Sequence, residues 1–397
     1  MKIGIYGGTF DPPHNGHIAA AQAAMDQLGL DRLLLIPTFQ PPHKALPEGA
    51  PSAQQRYDMT VLAAASLGKK AEVLDIELRR GGPSYSWETL CMMKKQFPED
   101  ELWLLMGSDM FLTLQEWREP RRVMAMAHIG AFSRVQGGEK AKFARQKAFL
   151  EREFGAAVTI IPNPQVVELS STEVRQALAA GGGEDLLPPA VYGYALRERL
   201  YNMNRPLTGL TPDQLRPVAL SYLKPKRMPH VLGTEQEAVR LTRRYGGDET
   251  QARIAALLHD CTKKLEMPEQ LALCKRYDIA LDELEKKALK LLHSKTGAAI
   301  ARDVFGVEDA VYDAIWYHTT GKPDMTLLEK IIYLADYIEP SRDFPGVEEL
   351  RQAVYEDLDH GLLMGLSMTI QEMEEMGNPV HHLTRDARDY LLKRGIR

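Results

Sequence analysis

The chain has 397 residues, of which 44% are hydrophobic and 26% charged, and its formal net charge at pH 7 is −5. This length and composition predict two domains with ordinary hydrophobic cores and exclude a largely disordered chain. The weak negative charge offers no electrostatic basis for binding nucleic acid, so nucleic acid is not an expected partner.

The cysteines and the N-terminus bear on the cellular compartment. Cys91, Cys261 and Cys274 are scattered and lack a CxxC spacing, which argues against a disulfide framework and a thiolate zinc site. The chain begins with a strand pattern rather than a signal peptide, and no apolar run approaches the length that crosses a bilayer. We therefore expect a cytoplasmic protein with no membrane partner.

The opening stretch, MKIGIYGGTFDPPHNGHI, predicts a phosphate site between a strand and a helix. An apolar run ends at Gly7 and Gly8, two prolines keep the next residues out of a helix, and a helical pattern begins after His17. Open α/β sheets bind ligands in the crevice at the carboxyl ends of their strands. The free N–H groups and the positive dipole end of the helix attract phosphate there. The stretch therefore predicts an enzyme that handles a nucleotide.

Strand and helix patterns then alternate through the first half of the chain. Apolar runs predict strands over 32–37, 71–78, 101–106, 128–132 and 157–161, and helical periodicity predicts helices over 18–28, 52–67 and 86–96. Such alternation is typical of an α/β domain with a doubly wound parallel sheet. The loops that follow the strands should meet at one edge of that sheet.

The polar groups of these loops suit the attack of one phosphate on another, which needs positioning and charge neutralisation. His14 and His17 can donate N–H groups to a phosphate. The cations that can spread positive charge over a leaving pyrophosphate are Lys44, Arg134 and Arg175. The hydroxyls of Ser171 and Thr172, at a predicted helix start, add a second phosphate cradle.

Several motifs of this half resemble a known family. GGTFDPPHNGH resembles the GxFxPxHxGH signature of the nucleotidylyltransferase superfamily, which implies a Rossmann-like fold. The motifs PPHK, SYS, GSD, SSTEVR and LLPPAVYGYALRERLY, together with Trp117, are similar to nicotinate-nucleotide adenylyltransferases over residues 1–203. The resemblance implies that ATP and nicotinate mononucleotide react to give deamido-NAD and pyrophosphate, with magnesium as the cofactor.

The same resemblance implies roles for individual residues. His14 and His17 would contact the ATP phosphates, and Asp109 would hold a ribose. Trp117 would stack on the nicotinate ring, and Ser86 would lie near the pyridine carboxylate. The other implied nucleotide-binding positions are Gly7, Gly8, Thr9, Phe10 and Gly107.

Arg118 departs from the family pattern, because relatives often carry an aromatic residue at this position. A guanidinium can pair directly with a carboxylate. We therefore expect Arg118 to favour the acid form of the substrate over the amide.

A stretch rich in turn formers divides the chain. It predicts a first domain over 1–203, a linker over 204–217 and a second domain over 218–397. Beyond it strand-like runs disappear and helical periodicity dominates, so the second domain is expected to be all-α.

The second domain places histidines inside or beside apolar helices. His259 and Asp260 follow the run IAALL, His293 follows two leucines, and His318 follows the run IWY. Burying that many titratable groups costs on the order of several kcal/mol unless they are paired or bind a metal. Imidazole and carboxylate together suit iron, manganese or a similar divalent ion. The tail histidines at positions 360, 381 and 382 fit no such pattern and are expected at the surface.

The ordered pattern H…HD…H…H…D resembles the HD-domain phosphohydrolases. AALLHDCTK, LLHSKTGA, WYHTTG and LADYIEPSR are similar to their small YqeK-like branch over residues 226–345. The resemblance implies two divalent metals, with iron as the expected one, and symmetrical cleavage of diadenosine tetraphosphate into two ADP. The implied ligands are His230, His259, Asp260, His293, His318 and Asp336, with Lys263 and Arg342 as phosphate contacts.

Two alternatives remain open. The first domain could transfer a nucleotide to another phosphorylated acceptor, such as phosphopantetheine. The HD domain could bind a nucleotide as a regulatory module without cleaving it. The sequence is also compatible with a homodimer.

Overall fold

The computed structural model describes residues 1–42, 45–134, 139–163 and 169–396, and the chain divides into two compact units. The first unit is Met1–Asn204 and the second is Arg205–Arg397. Within the described residues, no helix is long and apolar enough to cross a membrane.

The first unit is built on a six-stranded sheet in the order β3-β2-β1-β4-β5-β6, with every neighbouring pair parallel. This confirms the predicted fold. The strands are β1 (Lys2–Gly8), β2 (Arg32–Pro37), β3 (Ala71–Val73), β4 (Glu101–Met106), β5 (His128–Arg134) and β6 (Val158–Asn163).

Helices connect the strands and bury both faces of the sheet. Along β2, Leu33 and Leu35 belong to one apolar cluster and Leu34 and Ile36 to another, as the alternation of side chains across a strand requires. The helices are α1 (Asn15–Leu28), α2 (Ala53–Ala64), α3 (Ile76–Arg80), α4 (Ser86–Gln96), α5 (Ser108–Leu112), α6 (Pro120–Met126), α7 (Glu139–Phe154), α8 (Ser171–Ala179) and α9 (Pro189–Arg197).

The strand predicted over 71–78 is too long. The chain leaves the sheet after Val73 and forms the short helix α3, in which Glu77 is 4% exposed. The Thr89 hydroxyl donates a hydrogen bond to Glu77 Oε1 at 2.5 Å, so the buried carboxylate has a partner from α4. Because this contact joins distant parts of the chain, local alternation of apolar residues could not reveal it.

The second unit is helical throughout its named elements, as predicted. Its first helix begins inside the interval predicted as the linker, with Thr211 as the N-cap and Pro212 in the first turn. The helices are α10 (Pro212–Ser221), α11 (Met228–Tyr245), α12 (Glu249–Leu258), α13 (Met267–Arg276), α14 (Leu289–Phe305), α15 (Asp309–Tyr317), α16 (Leu327–Ile338), α17 (Val347–Glu356), α18 (Leu358–Glu375) and α19 (His382–Lys393).

Candidate functional sites

A cleft of about 400 Å³ opens at the carboxyl edge of the sheet in the first unit. It is bordered by the loops that follow β1, β2 and β4 and by the start of α4, which is where parallel sheets bind ligands. Seven of the predicted site residues line it: Gly7, Gly8, Thr9, Ser86, Gly107, Trp117 and Arg118.

Arg118 lines this cleft, and its guanidinium contacts an aromatic ring. Its guanidinium carbon is 4.7 Å from the centre of the Tyr85 ring, a cation–π contact that orients the planar group. Tyr85 also lines the cleft. Within the part of the chain that the structure describes, no carboxylate forms an ion pair with Arg118.

His14 and His17 lie together at the start of α1. His14 immediately precedes the helix, His17 is in its first turn, and their ring centres are 3.7 Å apart. Burial lowers the pKa of His14 to about 4, and burial together with the neighbouring His14 holds the pKa of His17 well below its usual value. Both rings are therefore neutral at pH 7 in the free protein.

Hydrogen bonding assigns the proton of His17. The backbone N–H of His14 donates to His17 Nδ1 at 3.1 Å, so this nitrogen carries a lone pair. In a neutral imidazole the proton must then lie on Nε2. His17 is thereby a hydrogen-bond donor at Nε2.

The loop between β1 and α1 is fixed through Asp11, which is 4% exposed. The Tyr201 hydroxyl donates to Asp11 Oδ1 at 2.9 Å. Arg175 donates to the Asp11 carbonyl at 2.7 Å, and its Nη1 lies 3.6 Å from Asp11 Oδ2. Arg175 also donates to Thr172 Oγ1 at 3.0 Å, so this cation joins the two predicted phosphate cradles.

Arg56 was not predicted as a site residue, yet it holds two loops of the cleft. Its side chain is fully buried and donates to the carbonyls of Thr9 at 2.7 Å and Phe39 at 2.9 Å. Burial lowers the pKa of its guanidinium, with Asp11 the largest opposing charge. No local sequence pattern distinguishes this arginine from the many that face solvent on helices.

The remaining predicted residues of this unit are placed differently. Phe10 is 2% exposed and packs in the apolar core, where its ring would lie 3.1 Å from a Cβ at Gly8. Asp109 is exposed on α5 and, of the described residues, is not among those that line the cleft. Ser171 begins α8. Lys44 lies outside the described residues, and so does the side chain of Arg134.

The second unit gathers all six predicted metal ligands into one buried cluster. His230 lies in the first turn of α11, His259 and Asp260 follow α12, His293 is in α14, His318 follows α15, and Asp336 is in α16. His259 and Asp260 are fully buried, and the other three histidines are at most 6% exposed.

The distances in the cluster are those of ligands that share an ion. His230 Nε2 lies 3.3 Å from His259 Nε2 and 3.0 Å from Asp336 Oδ1. On the other side of Asp260, His293 Nε2 lies 3.2 Å from Asp260 Oδ1 and 3.1 Å from His318 Nε2. Asp260 belongs to groups on both sides, namely one with His230 and His259 and one with His293 and His318.

The protonation of three rings suits a cation. His259 Nδ1 lies 2.6 Å from the Ala256 carbonyl and His318 Nδ1 lies 2.7 Å from the Ile315 carbonyl. Since a carbonyl oxygen only accepts, each Nδ1 carries the proton and each Nε2 presents a lone pair to the cluster. His230 Nδ1 lies 3.0 Å from a carboxylate oxygen of Glu339, so a proton on this nitrogen has an acceptor and Nε2 can present its lone pair to a cation in the cluster.

The charges fit a divalent ion as well. Burial lowers the pKa of His259, His293 and His318 to about 4, so these rings are neutral at pH 7. Burial alone would raise the pKa of Asp260, but the histidines and Lys263 around it hold that pKa well below its usual range. Neutral imidazoles and ionised carboxylates are the donor set of divalent transition metals.

An orphaned oxygen supports the same conclusion. Asp260 Oδ1 is buried and accepts no hydrogen bond of good geometry, although His293 Nε2 lies 3.2 Å away. Leaving a charged oxygen without a partner in the interior is costly, unless a ligand satisfies it. The residues around Asp260 therefore fit a centre that would bind divalent metal.

Three cations border this metal centre. Lys263 Nζ lies 2.9 Å from His293 Nε2, and Arg342 donates to Asp336 Oδ1 at 2.6 Å. Arg227 donates to Asp260 Oδ2. Arg227 was not predicted, because a lone basic residue before a helix carries no signal that separates it from surface cations.

The expectation for the tail histidines is wrong at one position. His381 is 5% exposed, and its Nε2 lies 3.3 Å from both Asp282 Oδ2 and Glu285 Oε1. Its Nδ1 accepts from the backbone N–H of Leu383, so the ring caps α19 and faces the carboxylates with its protonated nitrogen. These contacts give His381 a structural role at the start of α19. His382 is exposed, as expected.

The fold and the two sites define an α/β nucleotidyltransferase-type unit followed by a helical unit with a histidine–aspartate metal centre. Two family models match the chain accordingly: cytidylyltransferase-like over residues 5–177 and HD domain over residues 227–341.

Curated relatives match each half separately. A probable nicotinate-nucleotide adenylyltransferase of Gloeobacter violaceus is 38% identical over 204 residues, which are 51% of this chain and 97% of the relative. One of Neisseria meningitidis serogroup B is 36% identical and covers 50% of this chain and 98% of the relative. A symmetrical bis(5'-nucleosyl)-tetraphosphatase of Halalkalibacterium halodurans is 39% identical over 168 residues, which are 41% of this chain and 89% of the relative. The chain therefore belongs to the nicotinate-nucleotide adenylyltransferase family in its N-terminal part and to the family of symmetrical bis(5'-nucleosyl)-tetraphosphatases in its HD part.

The contact between Tyr201 and Asp11 yields a test of how the β1–α1 loop is held. In Tyr201→Phe the buried Asp11 carboxylate loses a hydrogen bond, which costs about 1–3 kcal/mol. Amide hydrogen exchange of the peptide that spans residues 8–17 should accelerate by roughly tenfold to a hundredfold. Exchange mass spectrometry measures this rate.

Tyr277→Phe serves as the matched control, because it removes a tyrosine–aspartate hydrogen bond of 2.7 Å, to Asp303, in the second unit. The control should leave exchange of the loop peptide unchanged. Equal loop exchange in Tyr201→Phe and in the wild type would contradict the proposed support.

Proposed function

We propose that the chain is a bifunctional enzyme of nucleotide metabolism. The first unit transfers AMP from ATP to nicotinate mononucleotide, which gives deamido-NAD and pyrophosphate. The second unit hydrolyses diadenosine tetraphosphate symmetrically to two ADP. Membership of both families supports this assignment, because the activities for which both families are named act on nucleotides through their phosphates.

The observation that carries the transferase assignment is the cleft at the carboxyl edge of the sheet. It combines a flat aromatic ring, that of Trp117, with the unpaired cation of Arg118. A pyridine ring with a carboxylate would use both, by stacking on the indole and pairing with the guanidinium. Gly7 and Gly8, at the end of β1, leave space for the sugar and phosphate beside them.

His14 and His17 stabilise charge in this mechanism and do not act as general bases. The phosphate of nicotinate mononucleotide attacks the α-phosphorus of ATP, one P–O bond forms, and the P–O bond to the leaving pyrophosphate breaks. Neutral N–H donors at the start of α1 bind the phosphate oxygens whose negative charge grows in that step. Magnesium, when bound with ATP, would neutralise the polyphosphate.

Loss of either histidine tests this role. His17→Ala removes a donor to the transferred phosphate, so kcat should fall by about 10²–10³, as for other preorganised donors. His14→Ala should do the same. Pyrophosphate release with ATP and nicotinate mononucleotide measures the rate. His128→Ala, at the opposite end of the sheet, is the matched control and should keep wild-type activity.

A substrate panel decides between this assignment and the alternative acceptors. The wild type should release pyrophosphate with nicotinate mononucleotide and not with 4'-phosphopantetheine. Turnover of phosphopantetheine in the absence of turnover of nicotinate mononucleotide would overturn the assignment.

Arg118 is expected to set the preference for the acid over the amide. A hydrogen bond to a charged group contributes about 1.5–3 kcal/mol. In Arg118→Ala the ratio of kcat/KM for nicotinate mononucleotide to that for nicotinamide mononucleotide should therefore fall by roughly 10- to 100-fold.

The matched control for this experiment is Arg122→Ala. Its guanidinium also stacks on an aromatic ring, that of Trp87 at 4.7 Å, but it is not among the described residues that line the cleft. An unchanged substrate ratio in Arg118→Ala would show that the carboxylate is recognised elsewhere.

The observation that carries the hydrolase assignment is the buried set of lone pairs and carboxylates around Asp260. When bound there, two divalent ions would activate a water molecule and stabilise the oxygens of the displacement. By the distances between their donor atoms, His230, His259 and Asp336 would hold one ion and His293 and His318 the other, with Asp260 between them. Lys263, Arg227 and Arg342 border the cluster and are suited to the phosphates of a tetraphosphate.

Metal content and hydrolysis test the second unit together. The wild type, purified without chelator, should hold two divalent metals per chain and convert diadenosine tetraphosphate to ADP alone. His259→Ala removes a buried ligand and should lose at least one metal and nearly all of the hydrolysis, whereas His360→Ala should resemble the wild type. Elemental analysis identifies the metal, for which iron is our expectation. Equal, negligible hydrolysis by the wild type and His259→Ala would favour a module that binds nucleotides without cleaving them.

A further inference from the structure

Glu339 is a buried carboxylate that the metal ligand set does not include. It is 0% exposed, and its Oε1 lies 3.0 Å from Nδ1 of His230. His259 and His318 donate from Nδ1 to neutral backbone carbonyls. Of these three rings, His230 is the one whose Nδ1 faces a carboxylate.

The local sequence explains how Glu339 reaches this position. It follows α16 as the C-cap, and the next residue, Pro340, disfavours a helical backbone at Glu339, in keeping with its φ of −52° and ψ of 155°. The side chain is then held by the next turn: Ser341 donates to one carboxylate oxygen from its backbone at 2.7 Å and to the other from its hydroxyl at 2.5 Å. Arg351 fixes the Glu339 carbonyl at 2.9 Å.

The facing helix leaves space for this carboxylate. Gly233 lies one turn after His230 on α11, and a Cβ at this glycine would collide with Glu339 Oε2. His230 and Gly233 lie on α11, whereas Glu339 and Ser341 follow α16, which packs on α11. The glycine at position 233 therefore lets the Glu339 carboxylate reach the His230 ring.

We propose that Glu339 is a positioning residue for the metal bound by His230. It holds the ring proton on Nδ1 and the Nε2 lone pair toward the cluster, and its negative charge makes this imidazole a stronger donor than the other two. The proposal rests on the metal centre of the proposed hydrolase. It predicts that the site containing His230 loses affinity without Glu339, while the site containing His293 and His318 does not.

The test is a titration of the full-length, metal-free chain with Mn²⁺ in the absence of nucleotide. Electron paramagnetic resonance of free Mn²⁺ gives the affinity of each site. The wild type should bind two ions. Glu339→Gln keeps the size of the side chain and removes its charge, so one site should weaken by about 10- to 100-fold, the usual effect of losing such a partner, and the other should stay unchanged.

Two further variants make the result specific. Ser341→Ala removes a hydroxyl that fixes Glu339 without touching a ligand, and it should weaken the same site to a smaller extent. Glu329→Gln is the matched control: Glu329 is also a buried carboxylate of α16, but it pairs with Lys322 at 2.8 Å, away from the cluster. This control should bind Mn²⁺ as the wild type does, whatever its effect on stability.

The outcomes separate this inference from the proposed function. If both Glu339→Gln and Ser341→Ala bind two Mn²⁺ ions with wild-type affinities, the role of Glu339 is overturned and the metal centre stands. Equal weakening of both sites would also overturn it, because it would indicate general loosening. A wild type that binds no Mn²⁺ would overturn the metal centre and the role of Glu339 together. A wild type that binds Mn²⁺ but does not hydrolyse diadenosine tetraphosphate would overturn the activity alone.

Discussion

The position of the proton on each imidazole ring is the constraint on which both sites depend. At His17 a backbone N–H occupies Nδ1, so the free nitrogen, Nε2, is a donor. At His259 and His318 a backbone carbonyl occupies Nδ1, so the free nitrogen carries a lone pair. The same side chain therefore offers a donor, which suits an anion, in the first unit and a lone pair, which suits a cation, in the second. The partner of the second nitrogen, and not the presence of histidine, decides between these two chemistries.

Each arrangement needs the ring to stay neutral, and burial secures this in both units. An exposed imidazole would be partly charged near neutral pH and could change its proton position freely. Removing the rings from water lowers the pKa of His14 and His259 to about 4 and so keeps both rings neutral at pH 7. For His17, His259 and His318 the cost of burial is partly offset by hydrogen bonds with backbone groups that α1, α12 and α15 already order.

The sequence predicted most of the fold, many residues that line the cleft and the six residues of the histidine–aspartate cluster, but not several residues that hold them in place. The parallel sheet and the helical second unit follow from periodicity that each segment contains by itself. The end of β3, the core position of Phe10 and the burial of His381 depend on contacts with distant segments, which periodicity does not record. All six predicted ligands meet in one cluster. They could be predicted because their order along the chain matched a known pattern. Arg56 and Arg227 matched no such pattern. Glu339 lies within the motif LADYIEPSR but received no role, since a charged residue on a helix or in a turn is ordinarily solvent-exposed.

The missed residues share a physical property that explains why they matter. Arg56 and Glu339 are fully buried charges whose partners are groups next to the chemistry: the Thr9 carbonyl for Arg56 and the His230 ring for Glu339. A buried charge is stable only where its partners are fixed, so it restricts their positions in return. The ligands of a site determine which ion or phosphate it can bind. The buried charges that contact these ligands fix their orientation before the substrate binds. Such preorganisation favours tight binding and fast chemistry.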